Sequence, residues 1–209
     1  MTDFYFVRHG QTAANAAGLK QGTINTEITY LSETGKKQAE SLRKSFDISF
    51  ADRIIASPLQ RTKDTADTLN QSANLPVTYD KRLLEISYGK WDGQKNADLM
   101  TEYPELFDHT LNDVLPSYAP TAGGETFEHV IDRVADLMAD LSRQYADQKL
   151  ILVTHGFTIK AAVLAAIGRP DNMMVIEEPD NTSVTKITYD PATSAYYLRY
   201  YNRVVSDQF

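Results

Sequence analysis

Phe4-Tyr5-Phe6-Val7-Arg8-His9-Gly10 is the stretch on which the fold turns. Four consecutive apolar, aromatic or β-branched residues fit a strand buried on both faces, and the change to Arg8-His9 followed by glycine marks its end in a turn. Three further runs have the same form. Arg53-Ile54-Ile55-Ala56 stops at Ser57-Pro58, Leu150-Ile151-Leu152-Val153 stops at Thr154-His155-Gly156, and Ser183 to Tyr189 alternates apolar with polar before Asp190-Pro191. Tyr196 to Tyr201 reads as a last, aromatic strand, antiparallel to its predecessor across a turn at Asp190 to Ser194. Helical patterns lie between these runs. Phe127, Val130, Ile131, Val134, Leu137, Met138 and Leu141 form a stripe at spacings of three and four, with Thr126 as N-cap. A second helix spans about Glu33 to Phe46, with Ser32 as cap and Ala39, Leu42 and Phe46 turned inward; a third follows Pro58 and a fourth follows Gly156. Strand and helix in alternation predict an α/β fold, a mostly parallel sheet covered on both faces.

Composition narrows the function. The chain has 209 residues with 21 Lys+Arg against 28 Asp+Glu, a formal charge of −7, and no cysteine. The length suits one soluble domain over 1–209, with no repeat and no linker to divide it. The least regular part is Tyr88 to Gly124, which holds Trp91 and three prolines and reads as a lid-like insert over the sheet edge. Without cysteine there is no disulfide framework, no thiolate-ligated metal and no sulfur nucleophile. An acidic chain is a poor general partner for nucleic acid or an anionic membrane, whose ligands carry a basic footprint. The longest apolar run, Ala161 to Ile167, is far below the ~20 residues that span a bilayer. The N-terminus passes straight into the first strand without a basic region and a long apolar core, so a cytoplasmic protein is expected. Oligomeric state is not legible.

Two of the four histidines, His9 and His155, each follow a buried strand and precede a glycine. In open α/β sheets ligands bind beyond the carboxyl ends of the strands, which is where both residues fall. Either histidine alone reads equally well as a hydrogen-bonded turn residue; the pair is the signal. Arg8 adjoins His9, and Arg61 lies one turn after Ser57-Pro58 at the start of the third helix. A guanidinium presents a planar fork of donors matched to phosphate oxygens, and a helix N-terminus adds free amides to the same anion site. Phosphoryl transfer through a protein nucleophile needs a neutral imidazole, donors for the equatorial oxygens and an acid for the leaving oxygen. His9 suits the first role; Arg8, Arg61 and His155 suit the second. Glu85, after Leu83-Leu84 and before Ile86, suits the third in a setting expected to be apolar.

The ordered motifs resemble the histidine phosphatase superfamily, in its phosphoglycerate mutase-like branch. They are Val7-Arg8-His9-Gly10-Gln11-Thr12 with Asn15; Leu31-Ser32 with Gly35 and Gln38-Ala39; Ser57-Pro58-Leu59 with Arg61-Thr62 and Thr65-Ala66; Glu85 with Tyr88-Gly89, Trp91 and Gly93; Gly123-Gly124-Glu125-Thr126; Val153-Thr154-His155-Gly156; and Asn181-Thr182-Ser183. The resemblance covers nearly the whole chain. It implies a three-layer α/β/α sandwich in which His9 is transiently phosphorylated, Arg8, Arg61 and His155 hold the phosphoryl group, Glu85 is the proton donor, and no metal or other cofactor takes part. Asn15, Gln11, Gln21, Gly22, Thr182 and Ser183 are the phosphate- or substrate-binding positions it adds. One segment departs from the family: residues 23–30 run Thr23-Ile24-Asn25-Thr26-Glu27-Ile28-Thr29-Tyr30 in place of a shorter Asp-x-Pro-Leu stretch, which puts leaving-group recognition in question.

The expected activity is hydrolysis of a small phosphorylated metabolite. A cofactor-dependent phosphoglycerate mutase is the nearest rival; a phospho-ligand binding protein and a metal site on His9, His155 and Glu85 rank lower, the last because abutting arginines repel a cation. The mutases of the family carry a longer, basic insert that grips an acidic substrate, whereas Tyr88 to Gly124 offers only Lys90 and Lys95 against Asp92, Asp98, Glu102, Glu105, Asp108 and Asp113. His109 and His129 read as surface or packing residues, although His129 lies near enough to Phe127 to border a pocket, and Met173-Met174 reads as gap filler.

Overall fold

The computed structural model describes residues 1–205; the last four positions of the expected 1–209 domain lie outside the described residues. The elements in chain order are β1 (Thr2–Arg8), α1 (Ala13–Ala16), α2 (Glu33–Ser45), β2 (Arg53–Ala56), α3 (Gln60–Asn70), β3 (Val77–Tyr79), α4 (Asn96–Glu102), β4 (Phe107–Asp108), β5 (Asp113–Val114), α5 (Tyr118–Ala122), α6 (Phe127–Gln144), β6 (Lys149–Thr154), α7 (Gly156–Ala166), β7 (Val184–Asp190) and β8 (Ala195–Arg203). Six strands form one sheet in the order β3-β2-β6-β1-β7-β8. Within it β7 runs antiparallel to both its neighbours and the other three pairings are parallel, so the expected mostly parallel sheet is found, while β4 and β5 form a small antiparallel pair of their own. The final hairpin is the predicted one. β3 is an addition: three residues after Pro76, too short and too exposed to leave a periodic pattern.

Side chains alternate across each strand, and this divides the core in two. Phe4, Phe6, Ile55, Leu150 and Leu152 face the layer of α6 and α7. Tyr5, Val7, Ile54, Ala56, Ile151 and Val153 face the layer of α2 and α3. Caps expected from sequence are in place: the Ser32 side chain accepts from the Gly35 amide and Thr126 from that of His129.

The 88–124 segment joins the first of these cores rather than standing apart. Trp91, 1% exposed, stacks on Phe107 with ring centroids 6.1 Å apart and touches Tyr118 at 5.8 Å. Backbone bonds from Lys20 to Gln94 and from Asn96 to Gly18 fasten the segment to the loop after α1. Truncating Trp91 removes the centre of this cluster, so Trp91→Ala should lower unfolding free energy by ~3–5 kcal/mol in one cooperative transition. Chemical denaturation followed by circular dichroism checks this; a separate early transition of the variant, with the rest of the protein as stable as before, would show that the segment is not part of the core.

Candidate active site

The register of β1 on β6 pairs Arg8 with Thr154, so the next residue of each strand, His9 and His155, emerge side by side. The His9 amide donates to the Thr154 carbonyl, and the two rings meet edge to face with centroids 5.2 Å apart. β2 lies on the other side of β6, bringing Ser57 and the start of α3 to the same end of the sheet. Arg61 projects from that helix and is buried with both histidines.

Hydrogen bonds fix the protons. His9 Nδ1 lies 2.7 Å from the Gly10 carbonyl; a carbonyl only accepts, so Nδ1 carries the proton and Nε2 keeps its lone pair. Burial, reinforced by Arg61 and Arg8, holds the His9 pKa well below its usual value and keeps the ring neutral. His155 is likewise held low by burial, then by Arg61, His9 and Arg8. Its Nδ1 accepts from Arg61 Nε at 3.2 Å, so Nε2 donates to Ser57 Oγ at 2.8 Å.

The arginines are placed differently. Arg61 also donates to the Ile24 and Gly22 carbonyls, at 3.0 and 2.8 Å, and burial lowers its pKa to about 10. Arg8 donates through one terminal nitrogen to the Pro179 carbonyl, sets the other 3.7 Å from Glu178, and buries an Nε–H without a partner. A buried donor left unmatched is costly, and an anion beside it would satisfy it.

Two expectations are corrected. The amides at the start of α3 are not all available to an anion, because the Asn25 side chain from the atypical loop accepts from the Gln60 amide at 2.8 Å. Glu85 is not in an apolar setting: its carboxylate accepts from the Thr158 amide at 3.2 Å, the Phe157 amide at 3.4 Å and the Ile86 amide at 3.0 Å, and so caps α7.

Arg8, His9, Asn15, Gln21, Gly22, Arg61 and Glu85 line one pocket of about 310 Å³, with His155 directly behind His9. Asn15 exchanges hydrogen bonds with Thr12, which fixes its side-chain amide. Gly22 adopts φ 48°, and a Cβ there would come within 1.9 Å of an Asp92 carboxylate oxygen, so no side chain fits between pocket and segment. Gln11, Thr182 and Ser183 are not brought to this pocket. Gln11 and Thr182 line a separate hollow, and Ser183 Oγ is buried without a partner. Thr182 and Ser183 reach the site through the backbone: the Thr182 amide donates to the Arg8 carbonyl and the Arg8 amide to the Ser183 carbonyl, while the side chain of Asn181 donates to the His9 carbonyl. His129 is exposed on Glu125 and away from the pocket.

The pocket also contains residues that the sequence did not reveal. Lys20 bonds Asp113 at 2.5 Å and lies 4.6 Å from the centre of the Tyr88 ring; Asn96, Leu111, Asn112, Glu177 and Glu178 complete the wall. Among the described residues no group of three or more His, Asp and Glu side chains is placed to hold a metal ion, and no helix is long and apolar enough to cross a membrane.

With two buried, neutral histidines and two arginines at adjoining strand ends, the site and the sandwich together define the protein's class. The chain belongs to the histidine phosphatase superfamily, branch 1, whose sequence model matches residues 4–202. It is 32% identical over 168 residues to phosphoserine phosphatase 1 of Hydrogenobacter thermophilus, covering 80% of this chain and 77% of that protein. It is 30% identical to the probable phosphoglycerate mutase GpmB of Salmonella choleraesuis, over 90% of this chain and 86% of the other. A solved mycobacterial glucosyl-3-phosphoglycerate phosphatase, in complex with VO3, superposes with TM-score 0.82 at 27% identity, covering 96% of this chain and 98% of that one.

The protonation pattern has a direct check. Nitrogen-15 NMR of the free protein at about pH 6.5, the unperturbed histidine value, should show His9 neutral as the Nδ1–H tautomer and His155 neutral as the Nε2–H tautomer. A protonated His9, or the opposite tautomer, would remove the lone pair from Nε2.

Proposed function

We propose that the protein is a phosphomonoesterase acting through a phosphohistidine formed on Nε2 of His9. The observation that carries this reading is the neutral His9 ring, its Nδ1 proton committed to Gly10, beside the unmatched buried donor of Arg8. Nε2 attacks phosphorus, a P–N bond forms, and the ester P–O bond breaks as Glu85 gives its proton to the leaving oxygen. In the second half Glu85 accepts a proton from water as the water oxygen attacks phosphorus, and the P–N electron pair returns to His9. Arg8, Arg61 and Asn15 hold the phosphoryl oxygens, and His155 joins them by turning its Nε2–H from Ser57 Oγ to the incoming anion. None of these steps calls on a metal or another cofactor.

The pocket volume of about 310 Å³ suits a small metabolite. Hydrolysis is favoured over transfer to a second hydroxyl by what the 88–124 segment contributes to the wall: Tyr88, Asn96, Leu111, Asn112 and Asp113, with no cation among them. The one lysine in the pocket, Lys20, is already paired with Asp113. Such a wall grips an acidic bisphosphate poorly and leaves the phosphohistidine open to water. The phosphatases among the similar proteins support the same reading, and a cytoplasmic setting goes with it. Mutase activity is the second reading, favoured by the similarity to the Salmonella protein.

Phosphate release is to be measured on sugar phosphates, phosphoglycerates, nucleotides and phosphoamino acids, in chelator, with vanadate as inhibitor. His9→Ala should reduce turnover by about a thousandfold or more. Glu85→Gln should slow alkyl phosphates by about a hundredfold while affecting an activated aryl phosphate far less. Turnover by His9→Ala near the wild-type rate refutes the nucleophile, and loss in chelator reversed by a divalent ion refutes the metal-free chemistry. With 3-phosphoglycerate primed by 2,3-bisphosphoglycerate, 2-phosphoglycerate forming much faster than inorganic phosphate would replace the hydrolase by the mutase.

A further inference from the structure

Glu178 is a pocket carboxylate that the reaction above does not use. It sits in a segment without regular structure between α7 and β7, yet its position is tightly determined. Oε2 lies 3.7 Å from a terminal nitrogen of Arg8, while the neighbouring Pro179 carbonyl accepts from the other. Gly156 closes the third side: a Cβ on it would fall 2.1 Å from Glu178 Oε2 and 3.0 Å from Arg8 Cζ. Guanidinium, carboxylate and helix start are therefore in direct contact, and both outer nitrogens of Arg8 are turned to Glu178 and Pro179 while its Nε–H stays unmatched.

We infer that Glu178 is a positioning residue for Arg8, holding its guanidinium on the pocket wall in the free protein, and that binding of a dianionic phosphoryl group is coupled to proton uptake by the Glu178 carboxylate. The inference rests on Arg8 being a phosphoryl ligand, as the proposed function has it. An incoming dianion competes with Glu178 for Arg8 and repels it at short range, and the repulsion is relieved when Glu178 becomes neutral.

The surroundings already lean that way. Burial, then Asp113 and Glu85, push the Glu178 pKa up to about 7, while Arg8 and Lys20 act in the opposite sense. Asp113 stays ionised against its own burial because of Lys20, with Lys160 of α7 adding to the effect. Tyr88 and Tyr201 also feel the Glu178 charge; burial first, and that charge next, raise both phenols and keep them neutral. No cation besides Arg8 forms an ion pair with Glu178 among the described residues. Below about pH 7 Glu178 is neutral and leaves Arg8 to the anion; above it the charged form must take up a proton as the anion binds.

Sulfate separates this coupling from the ligand's own titration, since it is a dianion throughout the range from about pH 5.5 to about 8.5. Calorimetric titration of the intact protein with sulfate should show affinity falling as pH rises above 7, at up to about tenfold per pH unit, the limit for one linked proton. Glu178→Gln should bind sulfate more tightly than wild type at about pH 8 and lose that slope; Glu178→Ala should do the same and serves if the first variant does not fold. A wild-type affinity independent of pH above 7 overturns the inference without any variant. So does a variant that keeps the wild-type slope, or one that only weakens sulfate at every pH, which is what loss of packing alone would produce. Binding requires no turnover, so an inactive protein with the predicted linkage would refute the phosphatase and leave this coupling standing, and an active phosphatase without it would do the reverse.

Discussion

The site depends on one ladder of hydrogen bonds, the parallel pairing of β1 with β6 from Asp3 against Lys149 to Arg8 against Thr154. A strand has a period of two, so a slip of one residue would turn Phe4 and Phe6 away from α6 and α7 and exchange the two halves of the core. The hydrophobic pattern thereby enforces the register. The register places His9 beside His155, and the pairing of Ala56 with Val153 brings Ser57 and Arg61 to the same end. His9, His155, Ser57 and Arg61 lie one position or about one helical turn beyond three neighbouring strands, and Arg8 is the last residue of one of them. The site's precision is inherited from packing far from the chemistry.

Burial then sets the electrostatics. His9 and His155 are neutral because desolvation and two guanidinium groups oppose a third and a fourth positive charge. The arginines cannot give up their charge in the same way, and each is held by carbonyl oxygens, Pro179 for Arg8 and Gly22 with Ile24 for Arg61. Carbonyls orient a guanidinium without cancelling its charge. An anion entering the pocket therefore meets fixed positive charge, a lone pair at Nε2 and, across the start of α7, the Glu85 carboxylate bound to main-chain amides.

The strand ends were legible because each combines a local signal, an apolar run that stops, with a residue of distinctive chemistry. His9, His155, Arg8 and Arg61 needed no knowledge of distant contacts. Lys20 and Glu178 were hidden for the opposite reason. Lys20 reaches the pocket only because the backbone after α1 pairs with 93–96, through the bridge of Leu19 to Lys95, and neither stretch has a periodicity that announces it. Glu178 lies on irregular chain whose place follows from Pro179 and Arg8. Gln11, Thr182 and Ser183 illustrate a different limit. Motif position placed them near the phosphate, and the structure does bring Thr182 to the His9 backbone, but through its amide, with Thr182 itself at φ 57°. A sequence motif records which residue occupies a position and says little about which atom of it does the work.

The departure at 23–30 shows the same distinction from the other side. A loop of unfamiliar sequence is reason to doubt recognition near the site, yet what it delivers to Arg61 is one carbonyl oxygen, from Ile24, beside that of Gly22 just before it, and to α3 one side-chain cap from Asn25. Carbonyls are present on every residue, so the positioning of Arg61 constrains the path of this loop far more than its composition. The left-handed turn at Gly22, pressed against Asp92, is what fixes that path at its start. The bond of Thr29 Oγ1 to the Ile24 carbonyl closes it farther along. On the proposed function, the Arg61 side of the pocket depends on the path of this loop rather than on its side chains, whereas a wall lined by side chains would register a change of sequence as a change of substrate.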